Sequence, residues 1–349
     1  FSEITLGMAY RERDPETGRW HGGFYWYVRR GLGKSWKWLG IFWAVILGCA
    51  MVFAPAVQAN SVVEAIRVSF DVPGWIVGVI FAVIMAVVLV GGIKSISSFA
   101  EKVVPLMALA YVIGSIFILV KFGSNIPHVF AMIFEYAFTP MAATGGFAGS
   151  TVMLAIRWGL ARGVYSNEAG TGMAPLAHSS SSANHPVKQG LWGISEVFVD
   201  TIIVCNFTAL VILSTGQWQT GDQGSILAIN SFGSALGQAG LLIAAVALML
   251  FAMSTVMSFS TFVGLQVENV WGSVAKKICQ VIFLGMMVAG GLNGVDSILF
   301  LTDTFSGLCI CGSLVALILM GGEIRRETDR YFKEVYPKKL KSEKERADV

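Results

Sequence analysis

Hydrophobic positions in this chain fall in long unbroken runs, not in the alternation of strands or the one-sided stripe of soluble helices. A helix that crosses a bilayer needs about 20 mostly apolar residues. Charge-free windows of that order occur at Trp38–Val63, Val72–Ile93, Val103–Val120, Tyr136–Ile156, Thr201–Gly221, Gln223–Val267, Ile278–Val295 and Thr304–Gly322. They predict eight full spans, with residues 1–9 as the end of a further helix. The long window after Asp222 is expected to hold one span at about 239–263. Its first part, with Gly233, Ser234 and Gly237, reads as an external re-entrant or surface segment. The expected fold class is all-α: a polytopic helical membrane protein, with 1–322 as the transmembrane domain and 323–349 as a charged tail. The chain opens Phe1-Ser2-Glu3-Ile4-Thr5-Leu6, already in mid-helix, so an N-terminal portion is expected to precede it.

Charge sharpens this picture. Charged residues make up 13% of the 349, against about 25% in soluble domains. A net charge of +3 gives no reason to expect a nucleic-acid partner. Lys and Arg resist translocation and mark the cytoplasmic side. Eight crossings put all of the 25 basic residues except Arg67 and Lys121 on one face. Both ends are therefore expected in the cytoplasm and the protein in the cell membrane. The tail from Glu323 reads as a mixed-charge helix fading into disorder, either solvated or resting on anionic headgroups.

Candidate chemistry is sparse. Cys49, Cys205, Cys279, Cys309 and Cys311 lie in apolar runs and read as small packing residues. The four histidines show no metal-ligand spacing, and no nucleophile–base arrangement suggests an enzyme. Ala142-Ala143-Thr144-Gly145-Gly146-Phe147-Ala148-Gly149-Ser150 is different, because its glycines let a helix unwind within a span. Free backbone groups at that depth are tolerated where they line a cavity or hold a ligand; a tight helix-packing site is the alternative. In 251–261, Ser254, Ser258 and Thr261 share one helical face, and Thr255 and Phe259 are four apart. Those hydroxyls either face a carboxylate or a hard cation, or back-bond to a carbonyl one turn away. Glu196 with Asp200, and Asp296 with Asp303, are intramembrane acids, a type that points to function. Their predicted places near span ends would let them stay hydrated.

The stretch Arg162-Gly163-Val164-Tyr165-Ser166-Asn167-Glu168-Ala169-Gly170-Thr171-Gly172-Met173-Ala174-Pro175 closely resembles the signature of the alanine/glycine:cation symporter (sodium:alanine symporter) family. Tyr10-Arg11-Glu12, Gln58-Ala59-Asn60-Ser61, Gly91-Gly92-Ile93-Lys94, Val104-Pro105-Leu106-Met107 and Glu196-Val197-Phe198-Val199-Asp200-Thr201 match in family order. The resemblance implies a LeuT-like inverted-repeat fold, here missing its first core helix, with the broken span as the sixth. It implies secondary active transport by alternating access: sodium-coupled symport of alanine or glycine, with Na+ as the coupling ion and no other cofactor.

By the same resemblance, Gly145, Gly146, Phe147 and Gly149 line the substrate site from the sixth core helix. Thr255 and Phe259 face it from the eighth, and Phe53 adds an apolar wall from the third. Ser254 and Ser258 are candidate cation ligands. Arg162, Asn167 and Glu168 belong to a loop that either helps seal the cytoplasmic side or acts as a folding signal. Two departures stand out: Phe259 replaces a family Trp, and Cys311-Gly312-Ser313 replaces a family Pro-Asn-Leu. The implied partners are a small neutral amino acid, Na+ and the bilayer; oligomeric state is left open. A proton-coupled carrier of another amino acid, or a non-transporting receptor or scaffold, is the alternative. A channel would show a continuous polar lining.

Overall fold

The computed structural model describes residues 1–15, 18, 20–70, 72–90, 92–138, 148–292 and 296–337. In chain order the elements are α1 (Ser2–Ala9), the strands β1 (Glu12–Arg13) and β2 (Trp20–His21), α2 (Phe24–Tyr27), α3 (Lys37–Phe70), α4 (Gly74–Val90), α5 (Gly92–Lys121), α6 (Ile126–Phe138), α7 (Ala148–Asn167), α8 (Ala174–His178), α9 (Pro186–Val197), α10 (Cys205–Ser214), α11 (Ser225–Leu236), α12 (Gln238–Trp271), α13 (Ser273–Leu292), α14 (Asp296–Leu319) and α15 (Gly321–Arg330). A π-helical turn, Phe198–Val204, joins α9 to α10. Among the described residues six helical stretches are long and apolar enough to cross a membrane: Lys34–Arg67, Glu101–Lys121, Pro186–Ser214, Gln238–Glu268, Ser273–Leu292 and Ile298–Leu319. Gly74–Leu89 and Ser225–Leu236 are shorter apolar helices. This is the polytopic all-α architecture that the apolar windows predict. A bilayer favours it because a helix satisfies its own backbone groups without water. The outward faces carry large apolar side chains, Ile318 at 78% exposure among them, the reverse of a soluble helix.

Two compact units divide the residues: Phe1–Ala50 with Glu168–Phe198 and Asp303–Val349, and Met51–Asn167 with Val199–Thr302. In the second unit a core of Tyr111, Ile118, Val211, Ile229 and Phe232 gathers α5, α10, α11 and α12. Tyr111 stacks on Phe232 at 5.2 Å and meets Phe251 edge-on at 5.9 Å. Its buried hydroxyl needs a partner and finds Thr208 Oγ1 at 2.9 Å. Lys121 Nζ donates to the Ala235 carbonyl at 2.5 Å, placing a cation at the negative end of α11. The segment predicted as re-entrant or surface is α11, a short apolar helix with Ile229, Ser231 and Phe232 fully buried. Its glycines serve contact, not looseness: a β-carbon at Gly233 would lie 2.6 Å from the Leu241 side chain.

Close backbone approach also holds α3, α4 and α13. A β-carbon at Gly74 would stand 2.7 Å from the Gly291 carbonyl oxygen, and one at Gly290 would overlap the Ala56 backbone. Between membrane helices there is little hydrophobic drive, so such small-residue contacts carry the packing.

In the first unit, α1 lies against α8 and α9. Gly190 and Gly193 on α9 make room for Thr5 and Ile4, and Gly7 makes room for Pro175. The hairpin pairs Glu12 with His21 and Arg13 with Trp20, an element too short for the hydrophobic pattern to predict. Just before it, Arg11 donates to three carbonyls, those of Ser179 at 2.9 Å, Ser181 at 2.5 Å and Ala183 at 3.1 Å. The guanidinium fork suits such a turn, since its donors are fixed in a plane. The chain after α15 continues into a π-turn whose Tyr331 packs 4.8 Å from His185.

Gly290→Ala is expected to lower the melting temperature in detergent, because overpacking against backbone costs about 1–3 kcal/mol. Gly285→Ala, with no neighbour within 4 Å, is expected to leave it unchanged; equal melting of the two variants would dismiss the α3–α13 contact as a packing determinant.

Candidate functional site

The densest polar arrangement in the first unit forms around the segment after Asn167. Glu168 has φ +50°, Gly170 +85° and Gly172 +80°. Left-handed residues at alternate positions turn their amides toward a common side and make a cradle for an anion. That anion is supplied from within. Glu3 on α1, 6% exposed, accepts from the Gly170 amide at 3.2 Å, the Gly172 amide at 2.9 Å and the Ser313 hydroxyl at 2.5 Å. Thr171 stiffens the turn: its hydroxyl donates to the Glu168 carbonyl at 2.7 Å and accepts from the Met173 amide at 3.3 Å. The Thr171 carbonyl accepts from the Trp43 indole at 2.8 Å. Trp43 stacks on Phe24 at 4.7 Å, and a β-carbon at Gly172 would lie 2.6 Å from its ring. Gly172 is thus fixed twice, by its positive φ and by the indole.

The rest of the predicted loop is helix. Arg162 and Asn167 belong to α7, which runs unbroken to Asn167; Glu168 alone of the three enters the turn. Arg162 lies over the rings of Trp158, 5.7 Å away, and Tyr165, 5.1 Å away. Gly163 lies within the helix, since a membrane helix tolerates an interior glycine far better than a soluble one.

Of the predicted substrate residues, Gly145, Gly146 and Phe147 lie outside the described residues, and Gly149 is in the first turn of α7. Phe53 is on α3, two residues before Pro55. Thr255, Phe259, Ser254 and Ser258 all lie on α12, in the same unit as Phe53 and Gly149. Ser254 and Thr255 both donate to the Phe251 carbonyl, at 2.8 and 2.9 Å, and Thr261 donates to Met257 at 2.8 Å. Of the two roles open to these hydroxyls, the structure has three of them back-bonded. Their protons are engaged while oxygen lone pairs remain. Phe259 is buried at 8% exposure. A cleft of about 280 Å³ in this unit, lined by Phe122, Asn125, His128, Thr215, Trp218 and Gln219, contains none of the predicted residues.

The paired acids separate. Glu196 meets His178 Nε2 at 2.9 Å, and His178 Nδ1 meets Gln189 at 2.6 Å. Asp200 accepts instead from the Ser166 hydroxyl at 2.7 Å. The residues that sequence reasoning missed are Glu3, Trp43 and Ser313. An acid inside the apolar run 1–9 was the available signal for Glu3. Ser313 stood out as a departure from the family pattern, and it proves to be the side chain that reaches Glu3.

Long apolar helices crossed by these buried polar links define a polytopic helical membrane protein. The chain belongs to the sodium:alanine symporter family, whose model matches residues 1–346. That is a family of transporters, not of enzymes. A Bacillus subtilis relative described as an uncharacterized transporter, YflA, is 34% identical over 352 residues, covering 99% of this chain and 74% of its own. The sodium/alanine symporter AgcS of Methanococcus maripaludis is 31% identical over 345 residues, 95% of this chain and 73% of its own. The probable sodium/glutamine symporter GlnT of Bacillus subtilis is 32% identical over 326 residues, 92% of this chain and 66% of its own.

Glu3→Gln keeps the side-chain shape but turns an NH2 donor toward amide donors. Hydrogen bonds to a charged group contribute about 1.5–3 kcal/mol each, so faster hydrogen exchange across 168–173 and a lower melting temperature are expected. Wild-type exchange in that segment would show that the carboxylate does not hold the turn.

Proposed function

We propose that the protein is a sodium-coupled symporter of a small neutral amino acid, alanine or glycine, that works by alternating access in the cell membrane with its C-terminus in the cytoplasm. The observation that carries this is family membership along residues 1–346, together with likeness to AgcS across 95% of the chain. The α12 hydroxyls support it physically. Oxygens whose protons are bound to Phe251 and Met257 carbonyls offer lone pairs to a cation or an ammonium group. Inward movement of Na+ supplies about 2.3 kcal/mol per 100 mV, plus its concentration term. Substrate size is where relatives diverge, as the glutamine in the name of GlnT illustrates. Phe259, in place of the Trp that the family resemblance implies, leaves more room and one donor fewer.

Purified full-length protein in proteoliposomes is expected to take up labelled alanine or glycine when an inward Na+ gradient is imposed, and not with choline. Thr255→Val is expected to cut that uptake about tenfold, the loss of one polar contact of about 1.4 kcal/mol. Uptake that follows a proton gradient without Na+ would replace the coupling ion; no gradient-driven uptake of any small amino acid would overturn the reading.

A further inference from the structure

Asp200 is the fifteenth of the 29 residues in the apolar helical stretch Pro186–Ser214, so it stands at the middle of a span-length helix and not at its end. The π-turn Phe198–Val204 encloses it. Such turns widen a helix and occur frequently at functional positions. Asn206 donates to the Ile202 carbonyl at 2.9 Å and contacts the Thr201 carbonyl at 3.4 Å, so a side chain serves part of the widened backbone. On Asp200 itself the Ser166 hydroxyl from α7 converges at 2.7 Å and Thr201 Oγ1 at 3.4 Å. Ser166 Oγ is also 3.5 Å from Thr201 Oγ1 and 3.1 Å from Cys205 Sγ.

What meets this carboxylate is oxygen from two helices; among the described residues no Lys or Arg reaches it. A carboxylate within an apolar helical stretch is costly without a counter-charge where water is excluded. Hydroxyls give it dipoles but leave its charge in place. A hard monovalent cation balances the charge and prefers carboxylate and hydroxyl oxygen. Ser166 is able to serve either state, because its hydroxyl rotates from donating to Asp200 to presenting a lone pair.

We infer that Asp200, Ser166 and Thr201 form a binding site for Na+ between α7 and the π-turn, apart from the hydroxyls of α12. The inference deepens the symport reading, which requires a bound cation, and is read without transport. The measurement is the melting temperature of the purified full-length protein in detergent, titrated with NaCl against choline chloride at constant ionic strength. Na+ is expected to stabilise the wild type. Half-saturation is expected to rise about tenfold or more in Asp200→Asn and to rise less in Ser166→Ala, the range seen when a metal's supporting groups are removed. Glu196→Gln, which faces His178 instead, is expected to keep wild-type Na+ dependence. Should Asp200→Asn not fold, Ser166→Ala and Thr201→Val carry the test. Unchanged half-saturation in the variants that fold, no Na+ effect on the wild type, or a shift that tracks pH in place of Na+ would each overturn the site. Lack of amino-acid uptake with the Na+ shift intact would instead count against symport and leave the site standing.

Discussion

The hydrocarbon interior offers no water to a stray polar group, and the internal order of this protein follows from that shortage. Several of its scarce polar side chains are tied to protein. Glu3 is wrapped by two amides and a hydroxyl. Arg11 is committed to three carbonyls, Lys121 to the end of α11 and Tyr111 to Thr208. These links do what hydrophobic burial does in water: they choose which segments meet. The Glu3 cradle joins α1, the turn after α7 and α14, three stretches far apart in sequence. Trp43 adds α3 through the same turn. Between the links, glycine sets the distance, as at Gly290 on Ala56 and Gly172 on Trp43.

Much of the fold was legible because a bilayer constrains composition over whole helices. Windows such as Thr304–Gly322 and Ile278–Val295 overlap α14 and α13, whose starts lie eight and five residues earlier. Glycine was the ambiguous letter. Around Gly233 it suggested a re-entrant or surface segment, and the chain forms the short buried helix α11 there. At Gly170 and Gly172 it does mark positive φ. Local composition does not separate these cases, since the deciding atom is on another helix: Leu241 for Gly233, the Trp43 ring for Gly172. The partners of Glu3 were hidden for the same reason.

The candidate site was legible as a set of residue types and less so as roles. Helical spacing placed Ser254, Thr255 and Phe259 on α12, yet the same spacing serves back-bonding and ligand binding equally. Likewise Glu196 and Asp200, four apart, looked like one pair. The π-turn that begins at Phe198 changes the angular step between them, and they face different partners, His178 and Ser166.

Hydroxyl direction has a consequence for how such a carrier divides its labour. A serine or threonine that donates to its own helix has no proton left for a carboxylate, so Ser254 and Thr255 as found on α12 suit positive charge. A zwitterionic amino acid also presents a carboxylate, which needs donors. Main-chain amides outside a helix meet that need, as those of the 168–173 turn do for Glu3. A stretch able to present amides in this way carries adjacent glycines, and Gly145-Gly146 is such a stretch in the sequence. Under the proposed symport, such a division would give the glycine segment the substrate's negative end and the hydroxyls of α12 its positive partners. A side-chain cation at the carboxylate would then be unnecessary, and binding would avoid burying an Arg or Lys that repels the coupling ion.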